Sequence, residues 1–86
     1  MTLEGNVYVS NNLIGTKTIH YENPNVRFSQ ELSEALVLLC KELAIPVPMW
    51  LSANTQNFAQ FHQTVFYSEQ FAEEVLFDKF QIRWEA

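Results

Sequence analysis

Between Ser29 and Ala44 the chain reads SQELSEALVLLCKELA, and this run limits the possible folds more than any other stretch. At about 100° per residue on a helical wheel, Phe28, Leu32, Ala35, Leu36, Leu39, Cys40 and Leu43 fall in one arc, with Gln30, Glu34 and Lys41 opposite. A strand would divide those apolar residues between two faces, whereas a helix gathers them on one. Ser29 is the expected N-cap, with Asn25 an earlier alternative, and Glu31 suits the positive end of the helix dipole. A capping box is missing because Leu32 stands where Glu or Gln is needed. Pro46 disfavours helical geometry at Ile45, so the helix is expected to stop near Ala44. Val37 and Leu38 lie roughly 130° from the centre of the stripe, one on each flank. Either another layer of the chain covers them or a partner does, which makes them a candidate partner surface.

The segments on either side supply the rest of an α+β fold. Asn6 to Tyr21 reads as a β-hairpin turning at Asn11-Asn12, with Val9 facing Ile14, Val7 facing Thr16 and Tyr8 opposite Gly15. Ile14 then points to one face while Ile19 and Tyr21 point to the other, a mismatch that a bulge near Gly15 would repair, the alternative being a strand apolar on both sides. ENPNVR is a loop, and IPVPMWL reads as a stiff extended connector carrying Met49, Trp50 and Leu51 into the core. Ser52 to Gln63 is expected to form a short helix capped by Ser52 or Asn54, with Phe58 and Phe61 on one side. Thr64 to Tyr67 has strand character, and Ser68 to Glu74 resembles a capped helical turn. From Phe77 to Glu85 the chain alternates, with Phe80, Ile82 and Trp84 on one face and Lys79, Gln81, Arg83 and Glu85 on the other. The expected architecture is one domain over residues 1–86. It comprises an N-terminal hairpin, one central amphipathic helix, one or two short helices, and a C-terminal strand completing a small antiparallel sheet of three strands.

Composition narrows function by exclusion. The 86 residues carry ten carboxylates against five basic groups, a net charge of −5. Lys17, Arg27, Lys41, Lys79 and Arg83 are scattered, so nucleic acid is not an expected partner. No apolar run approaches the length of a membrane span, and MTLEGNVYVS lacks a signal pattern, so a cytoplasmic protein without membrane contact is expected. Cys40, the single cysteine, reads as a small core residue.

Chemistry-bearing residues are sparse. His20, His62 and Cys40 show no ligand spacing, so no metal is expected. Gly5 and Gly15 make no phosphate-cradling loop, and Glu73-Glu74 reads as a solvated helix end. Asp78 shares a strand face with Phe80, Ile82 and Trp84, where a carboxylate needs a partner or a rim position. Its expected role is to terminate the buried run or to cap a turn, the alternative being a binding role. No catalytic residue, cofactor or enzymatic activity is expected.

The residues Pro48, Trp50, Leu51, then Asn54, Phe58, Phe61, then Phe77, Asp78, Phe80, Ile82 carry a resemblance. The C-terminal half resembles small uncharacterised proteins of Gram-positive bacteria, in which a Pro-x-Trp-Leu segment precedes an Asn-x-x-x-Phe-x-x-Phe stretch and a terminal Phe-Asp-x-Phe-x-Ile strand. That resemblance implies one compact domain and no particular activity. The leading expectation is a small non-enzymatic protein–protein interaction module, self-associating as a homodimer or docking on another protein through Val37 and Leu38. A second is a small-ligand or peptide binder with an aromatic pocket formed by Trp50, Phe58, Phe61 and Trp84. A third is a phage or mobile-element accessory inhibitor, which small size and acidity permit.

Overall fold

A computed structural model of the chain describes residues 1–85. Its elements are β1 (Thr2–Val9), β2 (Asn12–His20), α1 (Phe28–Leu43), α2 (Ser52–Phe61), β3 (Gln63–Tyr67) and β4 (Lys79–Glu85), with a 3-10 turn at Ser68–Gln70 between the last two strands. The strands form one antiparallel sheet in the order β2-β1-β4-β3. The expected three strands are present, and Gln63–Tyr67 joins them as a fourth. β1 and β4 therefore form the central pair.

Alternation along β1 explains its place. Leu3, Gly5 and Val7 face the helices, and Leu3 is fully buried, so the strand begins well before the expected Asn6. Gly5 is required by close approach: a Cβ there would lie 2.9 Å from both Leu39 and Phe80, themselves fully buried. Leu3, Val7, Ile19, Phe66, Phe80 and Ile82 from the sheet meet Leu32, Ala35, Leu36, Leu39 and Cys40 of α1 and Phe58 of α2 in one core. Each large apolar side chain buried there contributes about 1.5–3 kcal/mol. Among the described residues no helix is long and apolar enough to cross a membrane.

The hairpin turns one residue earlier than expected. Ser10 and Asn11 take positive φ values of 49° and 66°, the geometry of a two-residue turn matched to strand twist. Pairing then steps from Tyr8–Leu13 to Val7–Gly15, which leaves Ile14 as the extra residue of a bulge. The bulge repairs the parity mismatch, so Lys17 and Ile19 follow Gly15 on the inner face. It is Val7, not Tyr8, that stands opposite Gly15. Asp78 lies just outside β4 and is exposed, so it does not share the buried strand face. Its Oδ2 accepts from the Ser10 N–H at 2.5 Å, and its own N–H donates to Tyr8 C=O at 2.9 Å. The turn-capping role is the one it fills.

α1 starts without a side-chain cap. Arg27, in extended geometry, precedes the helix, and Ser29 lies inside its first turn. Glu31 instead reaches back to accept the Asn23 N–H at 3.0 Å, pinning the loop that enters the helix. The helix closes as a Schellman motif: Ala44 is left-handed, Ile45 N–H donates to Cys40 C=O, and Ala44 N–H donates to Lys41 C=O. Replacing Gly5 with Val overfills the contact between α1 and the sheet. We expect Gly5→Val to lower unfolding stability by about 1–3 kcal/mol in urea titration.

Candidate functional site

The site is built on two buried amides. Asn54 and Gln70 are 3% and 8% exposed, and side chains of that type are stable inside only when their donors and acceptors are paired. Asn54 Oδ1 accepts from Leu51 N–H at 2.9 Å and from Gln70 Nε2 at 3.0 Å. Asn54 Nδ2 donates to Thr64 Oγ1 at 2.8 Å and to Val65 C=O at 3.1 Å. Gln70 Nε2 also donates to Met49 C=O, and Gln70 Oε1 accepts from Tyr67 N–H at 3.0 Å. Met49 N–H completes the connection at the Gln70 C=O, 2.7 Å away. Among the described residues, no buried side-chain nitrogen or oxygen is left unpaired. Asn54 does help start α2, as expected of a cap, but from its first turn and through a side chain that also serves β3.

These bonds hold the proline-rich connector against α2 and set Trp50 in place. The indole Nε1–H donates to Thr55 Oγ1 at 2.8 Å, while the ring meets Phe58 edge-on at 5.9 Å and Phe66 at 5.5 Å. An apolar groove of about 530 Å³ opens between α1 and α2. Phe28, Leu32 and Leu36 form the α1 wall; Val47, Pro48 and Trp50 form the connector wall; Phe58 belongs to α2. The helices leave this space because their facing residues are small: Ser29 and Ser33, one turn apart on α1, and Ala59 on α2. Among the described residues no charged side chain lines it. Phe28 and Val47 are about half exposed at the groove.

The expected aromatic pocket is thus only partly assembled. Trp50 and Phe58 line the groove. Trp84 stands outside its lining, in contact with Phe28 at 4.9 Å and stacked on Phe58 at 6.3 Å. Phe61 is not part of it. It is 58% exposed and borders a separate notch of about 180 Å³ with Gln63 and Tyr67. Three α2 residues after Phe58 the helix has turned Phe61 past the core side, and His62 ends α2 in left-handed geometry. Phe28, Leu32 and Leu36 were not expected in the site; the paired serines beside the α1 stripe are the sequence signal for the opening. Val37 is exposed, whereas Leu38 is partly covered and packs against the core. The two flanks have separate fates.

The titratable groups are held in defined ways. Burial pushes the Cys40 thiol up to about 12, so it stays protonated. The Tyr21 hydroxyl donates to Glu34 Oε1 at 2.6 Å, and Asn23 Nδ2 and Gln30 Nε2 also donate to that carboxylate. These bonds, Tyr21 first, hold Glu34 below its ordinary value, and the bond to Glu34 raises Tyr21. His20 is exposed at the sheet edge, with Nδ1 3.2 Å from Thr2 Oγ1 and Nε2 3.4 Å from Glu22. The His62 ring lies 4.8 Å from Trp84. Among the described residues no group of three His, Cys, Asp or Glu side chains is placed to hold a metal ion.

Comparison with family models, with curated proteins and with solved structures returns no match. The functional reading therefore rests on this geometry.

Asn54→Leu leaves several of its former partners without a hydrogen bond. Since each buried unpaired group costs about 1–3 kcal/mol, we expect at least about 3 kcal/mol of lost stability, read by urea unfolding monitored through tryptophan fluorescence. Glu34 contributes stability above its ordinary value of 4.5 and loses it as pH falls through its lower folded value. Tyr21→Phe removes the largest cause of that shift. Carboxyl-detected NMR titration should then show the Glu34 pKa moving up toward 4.5.

Proposed function

We propose that the chain is a small non-enzymatic interaction module that docks on a protein partner through the apolar groove between α1 and α2. The observation that carries this reading is a groove of about 530 Å³ walled by Phe28, Leu36, Trp50 and Phe58 and lined by no charged group. That volume lies within the roughly 300–1,000 Å³ typical of binding sites. It accommodates two or three apolar side chains. Trp50 has already committed its N–H to Thr55, so recognition depends on apolar burial, at about 1.5–3 kcal/mol for each fully buried side chain. An aromatic wall flanked by half-exposed apolar residues also suits the anchoring role that aromatics take at protein interfaces.

The groove supersedes Val37 and Leu38 as the leading partner surface, because it combines depth with several apolar walls where they offer only single flanks. A small uncharged apolar molecule is the second reading, supported by the same volume and by the near-absence of polar groups. The acidic chain, with its basic residues scattered, disfavours nucleic acid as a partner. The reading includes no cofactor and keeps the cytoplasmic setting expected from the sequence.

Selection from a displayed peptide library tests the proposal directly. Enriched peptides should carry aromatic or long aliphatic residues at helical spacing and should change tryptophan emission on binding. Ser33→Arg and Ala59→Arg place bulk in the groove from exposed positions and should weaken those peptides at least about tenfold, roughly 1.4 kcal/mol. Peptides that bind the two variants as well as the wild type would place recognition elsewhere on the molecule.

A further inference from the structure

The two edges of the sheet are unlike. β3 is five residues long, and two of its outward groups are served from within the chain, Val65 C=O by Asn54 and Tyr67 N–H by Gln70. β2 is nine residues long and, among the described residues, pairs with β1 alone. At its end, Tyr21 N–H donates to Met1 C=O and the Met1 amino group donates to Tyr21 C=O. Antiparallel alternation from that mutual pair turns the main-chain groups of Ile19 and Lys17 toward β1, and those of His20, Thr18 and Thr16 outward. Among the described residues, no main-chain hydrogen bond beyond the strand pairing reaches those outward groups.

α1 overhangs this edge. Glu42 lies 4.0 Å from Lys17, Glu34 holds the Tyr21 hydroxyl, and Leu43 would lie 3.8 Å from a Cβ on Gly15. Glu34, Leu38 and Glu42 follow one another at four-residue spacing, so they form a row above the inner side of β2. Leu38 is only partly covered. Glu42 is matched by Lys17, whereas Glu34 and Glu31 have no cation at ion-pair distance among the described residues.

We infer that the Thr16–His20 edge of β2 accepts an added strand from a second protein. The inward side of that strand carries an apolar residue and, two positions away, a lysine or arginine. The spacing supports this pairing. Alternate residues of a strand advance about 6.6–6.8 Å and four residues of a helix about 6.0 Å, so the two rows stay in step. The apolar residue stands beside Ile19 beneath Leu38, and the cation stands beside Tyr21, within reach of Glu34. Main-chain bonds supply affinity and the two inward side chains supply specificity.

Other occupants fit less well. A second copy of this chain has the same net charge of −5 and the same acidic α1 flank, and the inward cation of its β2, Lys17, is already matched by Glu42. Lys17, pointing inward, and the bulge at Ile14 guard the other half of the edge against indiscriminate pairing. Lys17 also repels a cation placed beside it, so the cation belongs at the Tyr21 end.

Titration of the ¹⁵N-labelled protein with capped peptides in which valine and lysine alternate with threonine tests the inference. Expected are shifts and slowed exchange at the amides of Thr16, Thr18 and His20, with at least about tenfold weaker binding when glutamate replaces the peptide's lysine. Glu34→Gln should weaken the lysine peptide about fivefold and leave the glutamate peptide no weaker. Thr18→Pro removes an outward N–H at a position where an edge strand tolerates proline, and should abolish binding while circular dichroism stays unchanged. Shifts confined to the groove, self-association through β2 in sedimentation, or no shift at millimolar peptide would each overturn it.

Discussion

Asn54 is the residue on which the second half of the structure depends. Its amide joins the proline-rich connector, the start of α2, the strand β3 and the Gln70 turn, segments that the sheet alone does not hold together. The local dielectric is low where Asn54 and Gln70 sit, so paired bonds there are strong and an unpaired one is expensive. The network is fully paired, and it therefore selects one arrangement of these segments. Trp50 inherits its position from that arrangement.

The groove follows from the same constraint. α1 is placed over β1 and β2 by its apolar stripe, and α2 is placed over β3 by Asn54 and Phe58. Small residues on the facing sides leave the gap unfilled, while Pro48 and Trp50 close its connector side. The amides also settle the contrast between the sheet edges. Because they occupy two main-chain groups of the short β3, the longer open edge is β2, under the acidic flank of α1.

Much of the fold was legible in local patterns. The α1 stripe, the alternation of Phe80, Ile82 and Trp84, and the paired strands of the hairpin all depend on near neighbours in sequence. The bulge near Gly15 was one of two readings of the opposite parities of Ile14 and Ile19, and the structure adopts it. Other features were hidden by their non-local partners. Leu3 lay outside the expected hairpin, and Thr64 to Tyr67 had strand character but took its place as the fourth strand by pairing with β4. Ser29 had the right chemistry for a cap, but Glu31 was drawn to Asn23 and the helix began two residues earlier. Asn54 and Gln70 gave no hint of burial, since amides of the same type in α2 point to solvent. For the site, Trp50 and Phe58 were readable as aromatic anchors. Phe61 was not separable from them by composition, and the α1 wall needed the three-dimensional packing.

Native-state hydrogen exchange of Met49, Leu51 and Tyr67 tests the central claim most directly. Each of these N–H groups donates to Asn54 or Gln70, and none of those bonds belongs to a helix or to the sheet pairing. If the amide network fixes the connector and the groove, all three should exchange with opening free energies close to those of Leu3 and Ile82 in the central strands. Exchange at the rate of an exposed loop, with β1 and β4 still protected, would contradict it.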